Sequence, residues 1–281
     1  MTYLDVDTEN NYYYSEVKGR ELYFVNEGLK VPKYGQAELV EVETSFTAYQ
    51  EFQSMLTRDR IDIFMVGEFD DYQVLQALHR FPLEGRQVDL QFSYSQPYVN
   101  VVKEKIEPRQ SSQSILQLGY QFPCQYGDKD YFALIVFNAM FGEFAHSALF
   151  TTLREKEGLA YSISSQFDIF TGLLEVYAGI EKSNRNQAMR GISRELNYIK
   201  LIRFPSSLMN QTVNIIRMNA LLSEDHALTL VEQRFNKVIF GDKSLSLENW
   251  LDEIEKVTKK DVCRVARQVK LQSLFFLEGV S

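Results

Sequence analysis

The sequence has few of the residues that bind metals or form disulfides. Its 281 residues include only two cysteines, Cys124 and Cys263, which lie far apart and have no other thiol nearby. This usage is typical of buried or incidental thiols in a reducing compartment and gives no support to a disulfide. The three histidines, His79, His146 and His226, form neither an HxxEH nor an HxxxH pair. We therefore predict no metal-binding residues in this chain.

An excess of positive charge is also absent. Lysine and arginine together number 30 against 38 for aspartate and glutamate, which gives a formal net charge of -8. Nucleic-acid binding would need clustered basic residues, so we predict no nucleic-acid partner. The first 17 residues contain neither the basic region nor the apolar region of a signal peptide. The densest apolar run, 131–141, is too short to cross a bilayer. We expect a cytoplasmic protein with no membrane partner.

Nucleotide-binding and hydrolase motifs are absent as well. The sequence contains no P-loop, no GxGxxG and no GxSxG element. We therefore predict no cofactor-binding residues in this chain.

The most informative pattern that is present is an internal echo, by which we mean two distant segments with the same order of predicted elements. Residues 47–67 read as a capped amphipathic helix, a charged turn and an apolar strand at 61–66 that ends in Gly67. Residues 258–279 repeat this order and end in Gly279. The two glycines are 212 positions apart, a period that indicates a duplicated domain rather than a solenoid.

The echo predicts how the chain is divided. We predict the C-terminal part of a first repeat at 1–85, a connector at 86–97 and a complete second repeat at 98–281. The front of the first repeat is then absent, and we expect it upstream of Met1 in a longer chain. A tail without the rest of its repeat would expose the apolar face of its sheet.

Within the second repeat, alternating or β-branched apolar residues predict strands at 98–106, 115–122, 159–167 and 173–180. A helix capped by Asp128 or Asp130 runs to Phe141 and is apolar almost all round, which predicts that it is buried. A second helix ends near Glu157, and three more follow the last strand. This order indicates an α+β fold in which an antiparallel sheet has helices packed on one face.

The segment 153–165, LREKEGLAYSISS, carries the best candidate site. Arg154 and Tyr161 lie seven positions apart on either side of Gly158, in a helix, turn and strand pattern. A guanidinium and a phenol are both donors suited to a developing negative oxygen. The alternative is that Arg154 pairs with Glu157 at i, i+3, and that Tyr161 is a half-buried strand aromatic.

A second candidate pair is weaker. Glu143 and His146 lie at i, i+3 and could offer two metal ligands, but no further ligand accompanies them. A surface hydrogen bond is the alternative for this pair.

Three segments of the second repeat resemble a known family. QSILQLGYQFP, DYFALIVFNAMFG and FTTLREKEGLAYSISS resemble the second half of the insulinase/pitrilysin family of zinc metallopeptidases, which are processing-peptidase-like. The earlier segment ETSFTAYQEFQSMLTRDRIDIFMVGEFDD is similar to the close of that family's first half. The resemblance covers nearly all of the chain from Leu22, and LREKEGLAYS is its most specific part.

The resemblance implies a clamshell of two homologous α+β halves around a chamber for unfolded peptides. One half of such peptidases holds zinc on an HxxEH helix, and the other supplies an arginine and a tyrosine that reach the substrate. These two positions match Arg154 and Tyr161 here. The loop 142–146 departs from the family pattern, which often has a run of glycines at this place.

The leading hypothesis is a non-zinc subunit or half of a two-part bacterial metallopeptidase. It would bind unfolded peptide and complete the partner's active site, with Arg154 and Tyr161 acting in trans. We expect no cofactor in this chain, zinc on a homologous partner or on the absent N-terminal part, and no peptidase activity alone. A homodimer is a further arrangement that stays open. The alternative function is a catalytically silent scaffold that assists maturation or modification of another protein.

Overall fold

The computed structural model describes residues 9–81, 85, 86, 88 and 94–280. Residues 1–8 and 82–84 of the predicted first-repeat segment, residues 87 and 89–93 of the predicted connector 86–97, and residue 281 of the predicted second repeat lie outside the described residues.

Five strands of the described chain form one sheet with the order β1-β5-β2-β4-β3. β1 pairs with β5 in parallel, and the other neighbours are antiparallel. The strands are β1 Lys103–Gln110, β2 Ser114–Gln121, β3 Ala160–Asp168, β4 Leu173–Ile180 and β5 Lys270–Val280.

The α-helices in chain order are α1 Asn11–Tyr23, α2 Glu27–Lys30, α3 Ala37–Val42, α4 Ser45–Arg58, α5 Asp71–Leu78, α6 Tyr131–Asn138, α7 Arg185–Lys200, α8 Ser206–Ser223, α9 Ala227–Phe240, α10 Leu247–Lys256 and α11 Lys259–Gln268. Two π-helical segments, Ala139–Glu143 and Phe150–Lys156, lie between α6 and β3. Short 3₁₀ turns cover Lys182–Asn184 and Gly241–Lys243.

The main core lies between the sheet and one layer of helices. α6 is the centre of this layer, and its side chains Leu134, Val136 and Phe137 are fully buried, as its apolar sequence predicts. From the sheet, Leu116, Leu118, Val176, Ala178, Leu274 and Phe276 face this layer. The predicted α+β class, with an antiparallel sheet and a helical layer, is confirmed; β1 adds one parallel pairing.

Helix α1 packs on the opposite face of the sheet. Its Tyr14 and Leu22 pack against Ile115, Phe275 and Leu277. Charged groups continue the contact: Arg20 makes two hydrogen bonds to the buried carboxylate of Glu175, of 3.1 and 2.7 Å. The N-terminal segment therefore contributes directly to the core of the second repeat.

The helices of the two echo segments have the same kind of start, although the first begins at Ser45, before residue 47. α4 and α11 each start with a capping box, in which the side chain of Thr44 or Thr258 accepts a hydrogen bond from the third backbone N–H of the helix. After α11 the chain enters the sheet as β5, between β1 and β2.

After α4, however, the predicted strand at 61–66 is not formed. These residues have no strand pairing, and Ile61, Ile63 and Met65 are exposed. A strand exists only through hydrogen bonds to a neighbouring strand, and none of the described residues supplies one here. The predicted start of the first strand of the sheet is also wrong. The strand begins at Lys103 and not at residue 98.

Both cysteines are buried and free. Burial raises the pKa of the Cys124 thiol to about 12, and nearby Asp128 and Asp130 act in the same direction. Among the described residues, no helix combines the length and apolarity that a bilayer crossing needs.

Candidate functional site

Gly158 joins a π-helical segment to β3. It has a φ of 60°, the left-handed conformation that glycine adopts without strain. Around it, the N–H of Glu157 donates to the carbonyl of Thr152 at 2.9 Å and that of Leu159 to the carbonyl of Leu153 at 2.8 Å. The predicted helix, turn and strand order is therefore present. The helix has π rather than α geometry, which is found frequently at functional sites.

Arg154 lies on this π-helical segment with its side chain partly exposed. Its guanidinium carbon lies 4.6 Å from the centre of the Phe150 ring, and its Nε lies 3.8 Å from the carboxylate of Glu155. The alternative partner, Glu157, is instead bound by Arg194 at 2.6 Å. Arg154 thus keeps most of its hydrogen-bonding capacity toward solvent.

Tyr161 lies in a β-bulge of the edge strand β3. Ala160 pairs with Ile180 and Ser162 pairs with Gly179, so Tyr161 is an extra residue on this strand. Strict alternation would place Tyr161 on the buried face with Ile163. The bulge shifts the alternation, so that Ala160 joins Ile163 in the core and Tyr161 is 58% exposed.

Glu181, the residue after β4, binds the Tyr161 hydroxyl. The phenol donates a short hydrogen bond to the Glu181 carboxylate. This hydrogen bond raises the pKa of Tyr161, with smaller contributions from desolvation and the carboxylate charge, so the phenol stays protonated. No hydrogen bond joins Tyr161 to Arg154, although both side chains are described. Glu181 was not singled out from the sequence; its position next to Tyr161 follows from the pairing of β3 with β4.

Gly142 and Glu143, expected in a loop at 142–146, instead lie in the π-helical segment Ala139–Glu143, which packs against β3. A Cβ atom on Gly142 would lie 2.8 Å from the backbone nitrogen of Ser165, so only glycine fits this approach. Ser165 donates to the Oδ1 of Asn138 at 2.7 Å, and the Nδ2 of Asn138 donates to Glu143 at 2.9 Å. These bonds connect the end of α6 with the edge strand.

The side chains of Glu143 and His146 do not come together as a pair of metal ligands, because each binds a different residue. Glu143 accepts the hydrogen bond from Asn138, and the Nε2 of His146 lies 2.8 Å from the hydroxyl of Thr212. Across the described ranges, no three His, Cys, Asp or Glu side chains are grouped so that they could hold a metal ion.

Comparison with known proteins places this architecture in a family. Residues 49–216 match the family profile described as "Peptidase M16 inactive domain". The chain belongs to the peptidase M16 family. The resemblance to zinc metallopeptidases, on the non-zinc side, is thereby confirmed, because the match is to the inactive domain of M16 peptidases.

Two curated M16 relatives come from Bacillus subtilis. The "probable inactive metalloprotease YmfF" is 33% identical over 246 residues, which cover 87% of this chain and 58% of YmfF. The "uncharacterized zinc protease YmxG" is 23% identical over 249 residues, which cover 87% of this chain and 59% of YmxG. The chain thus spans less than two thirds of the length of either relative.

Solved structures share the M16 architecture. A conserved protein from Enterococcus faecalis V583 matches with a TM-score of 0.94 and 35% identity, over 99% of this chain and 66% of that one. A subunit of complex III2 from Candida albicans matches with a TM-score of 0.73 and 13% identity, over 99% of this chain and 70% of that one. At that identity, the second likeness shows the fold alone.

Proposed function

We propose that this chain is the non-zinc subunit or half of a two-part M16 metallopeptidase. It binds unfolded peptide and completes the active site of a zinc-bearing homologue. The observation that carries the proposal is the bulge in β3, which turns Tyr161 out of the core directly after the Gly158 turn that follows Arg154. Bulges of this kind are frequent beside active sites, where they redirect a side chain.

The chemistry of the two side chains supports this role. Peptide hydrolysis places negative charge on the carbonyl oxygen as it is attacked, and donors aimed at that oxygen lower the barrier. The Arg154 guanidinium is always charged, and the raised pKa of Tyr161 keeps its hydroxyl a donor. To act on a substrate, the hydroxyl must exchange Glu181 for the substrate oxygen.

The described residues provide no group of side chains that could bind a zinc ion. Glu143 and His146 bind other groups, and no cluster of three ligand side chains exists among the described residues. We therefore expect zinc on a homologous partner, which agrees with relatives named as an inactive metalloprotease and as a zinc protease. On this proposal the chain alone does not cleave peptides.

Mixing the chain with a homologue that carries HxxEH tests the proposal. Dye-labelled β-casein serves as an unfolded substrate, and release of labelled fragments is measured. We expect no release by the chain alone, and release by the mixture at least about tenfold faster than by the homologue alone, since donors to the oxyanion are worth that much or more. A chelator should abolish the activity of the mixture.

An unchanged rate on mixing would contradict the proposed function. Such a result, with the chain bound instead to proteins unrelated to peptidases, would favour the scaffold function.

A further inference from the structure

Helix α7 and the residues on either side of it carry a local excess of positive charge. Residues 182–203 contain six basic residues and one acidic residue, although the whole chain has a formal net charge of -8. The basic residues are Lys182, Arg185, Arg190, Arg194, Lys200 and Arg203. A basic patch on an otherwise acidic protein attracts partners of negative charge to one part of its surface.

An open groove of about 520 Å³ lies along the exposed side of α7. Its lining combines three of these arginines with three side chains that offer apolar surface; they are Arg190, Arg194, Arg203, Met189, Tyr198 and Leu201. The groove therefore presents both positive charge and apolar surface to a ligand.

Two of the three arginines have unused hydrogen-bonding capacity. Arg194 binds the carboxylates of Glu157 at 2.6 Å and Glu195 at 3.1 Å. The exposed side chains of Arg190 and Arg203, in contrast, bind no carboxylate in the part of the chain that the structure describes. A guanidinium presents five N–H donors in a planar fork that matches a carboxylate. The groove thus offers two positions for carboxylates of a ligand.

The turn that ends the groove is strained. The N–H of Ile202 donates to the carbonyl of Ile199 at 3.0 Å, and that of Arg203 donates to the carbonyl of Tyr198 at 3.1 Å. These are the two bonds of a Schellman motif, in which the left-handed position is usually glycine. Here Ile202 holds that position with a φ of 56°, which is rare for a β-branched residue. Strain of this kind clusters at ligand clamps, and this turn carries Leu201, 54% exposed, close to Arg203.

The length of the groove indicates the kind of ligand. With a rise of 1.5 Å per residue, α7 extends about 15 Å from Arg190 to its end at Lys200, just before the turn with Arg203. A single phosphate or sulfate ion cannot reach along this span, whereas an extended polypeptide covers it with about five residues. The apolar lining favours a polypeptide over a nucleic acid, because a polypeptide can place an apolar side chain between its charges.

We propose that the groove along α7 binds an extended, acidic segment of a partner protein. Carboxylates of this segment bind Arg190 and Arg203, and an apolar side chain between them packs on Leu201. This inference goes beyond the proposed peptidase role, because the binding requires neither zinc nor Tyr161. It can therefore be tested on the chain alone.

Fluorescence anisotropy with a fluorescein-labelled peptide of repeating sequence Glu-Glu-Leu tests the charges. We expect Arg190→Ala/Arg203→Ala to bind this peptide at least about tenfold more weakly than the wild type, because charge-assisted hydrogen bonds are lost. The control Arg80→Ala/Arg234→Ala removes the same charge from exposed arginines elsewhere and should bind like the wild type. Equal affinities of the two double variants, or no binding by the wild type, would overturn the proposal.

Two leucine variants test the apolar contact with the same peptide. We expect Leu201→Ser to weaken binding about tenfold, since burial of a leucine side chain is worth at least that much. Leu222→Ser, at a leucine of α8 that is 64% exposed, is the control and should bind like the wild type. Circular dichroism would verify that all variants keep the fold. Equal binding by the two leucine variants would show that charge alone holds the peptide, contrary to the proposal.

Further measurements decide which partner occupies the groove. A peptide of repeating sequence Lys-Lys-Leu should not bind, and single-stranded oligothymidylate should bind more weakly than the acidic peptide. Tighter binding of oligothymidylate would overturn the assignment to a polypeptide. Sedimentation of the chain alone tests the remaining occupant. If the wild type self-associates and Arg190→Ala/Arg203→Ala does not, a second copy occupies the groove, and the assignment to a different protein is wrong.

Discussion

The Tyr161 hydroxyl donates a hydrogen bond to Glu181, and this bond has two opposite effects on the proposed role of the hydroxyl. The carboxylate raises the pKa of the phenol and so keeps its proton at neutral pH. It also occupies the donor that the proposed mechanism assigns to a substrate oxygen. A bound peptide therefore has to compete with Glu181 for one hydrogen bond.

Asp130 is one residue at which the structure predicts a pH effect on stability. Burial alone would raise the pKa of its carboxyl, but hydrogen bonds from Arg264 and Gln268 outweigh burial and hold the pKa below its ordinary value. Arg264 donates to it at 2.9 and 2.7 Å. A depressed folded pKa means that this pair stabilises the fold above the unfolded pKa, near 4, and loses that effect as the pH falls through the folded value.

We predict that Asp130→Asn lowers the free energy of unfolding by about 1 kcal/mol at pH 7, an amount limited by the exposure of Arg264. The difference from the wild type should shrink as the pH falls from about 5 to 2. Urea unfolding across this range measures both values, with Asp225→Asn, exposed between α8 and α9, as the control. A difference that does not depend on pH would show that the ion pair is not its cause.

At the scale of elements, the contact between the π-helical segment Ala139–Glu143 and β3 positions the edge strand. Gly142 lies against Ser165, and Asn138 at the end of α6 binds the Ser165 hydroxyl. The site therefore depends on how closely the helical layer approaches β3.

The substitution Gly142→Ala tests how closely the helical layer packs against β3. The added Cβ would lie 2.6 Å from the Oγ and 2.8 Å from the backbone nitrogen of Ser165, so β3 or the π-helical segment must move. We predict a loss of roughly 2 kcal/mol in stability, in the range of overpacked cores, measured by chemical denaturation. Gly85→Ala, which meets no atom within 4 Å, should leave stability nearly unchanged. Equal stability of the two variants would mean that the contact is looser than described.

The sequence predicts elements whose signals are local. The β4 strand has the predicted bounds, Gly158 ends its helix with positive φ, and α6 is buried. The bulge at Tyr161 could not be predicted, because it depends on the register in which β3 pairs with β4, and the pattern of residues along one strand does not determine that register. Pairing also decides the segment 61–66, where an apolar pattern is not enough to make a strand without a neighbouring strand among the described residues.

At the scale of the whole molecule, the segment from α4 to α5 exposes many apolar side chains. Phe46, Tyr49, Phe52, Met55, Ile63, Phe69, Tyr72 and Leu75 are all at least 40% exposed. One contact to the second repeat is the edge-on packing of Phe64 on Phe235 of α9, with ring centres 6.3 Å apart. Exposed apolar surface of this kind is typical of interfaces. In the proposed peptidase, it is available to the zinc-bearing partner.

The central claim is that Arg154 and Tyr161 act on a peptide at an active site that a homologous partner completes with zinc. The most direct test titrates the wild-type chain and the Arg154→Ala/Tyr161→Phe double variant into a fixed concentration of an HxxEH-bearing homologue and measures β-casein cleavage. Arg234→Ala/Tyr98→Phe, at exposed positions outside the site, is the matched control. We predict that the double variant lowers the plateau rate about 100-fold and leaves the half-saturating concentration unchanged, because the pair stabilises the transition state rather than the complex. A plateau equal to that of the wild type would contradict the claim.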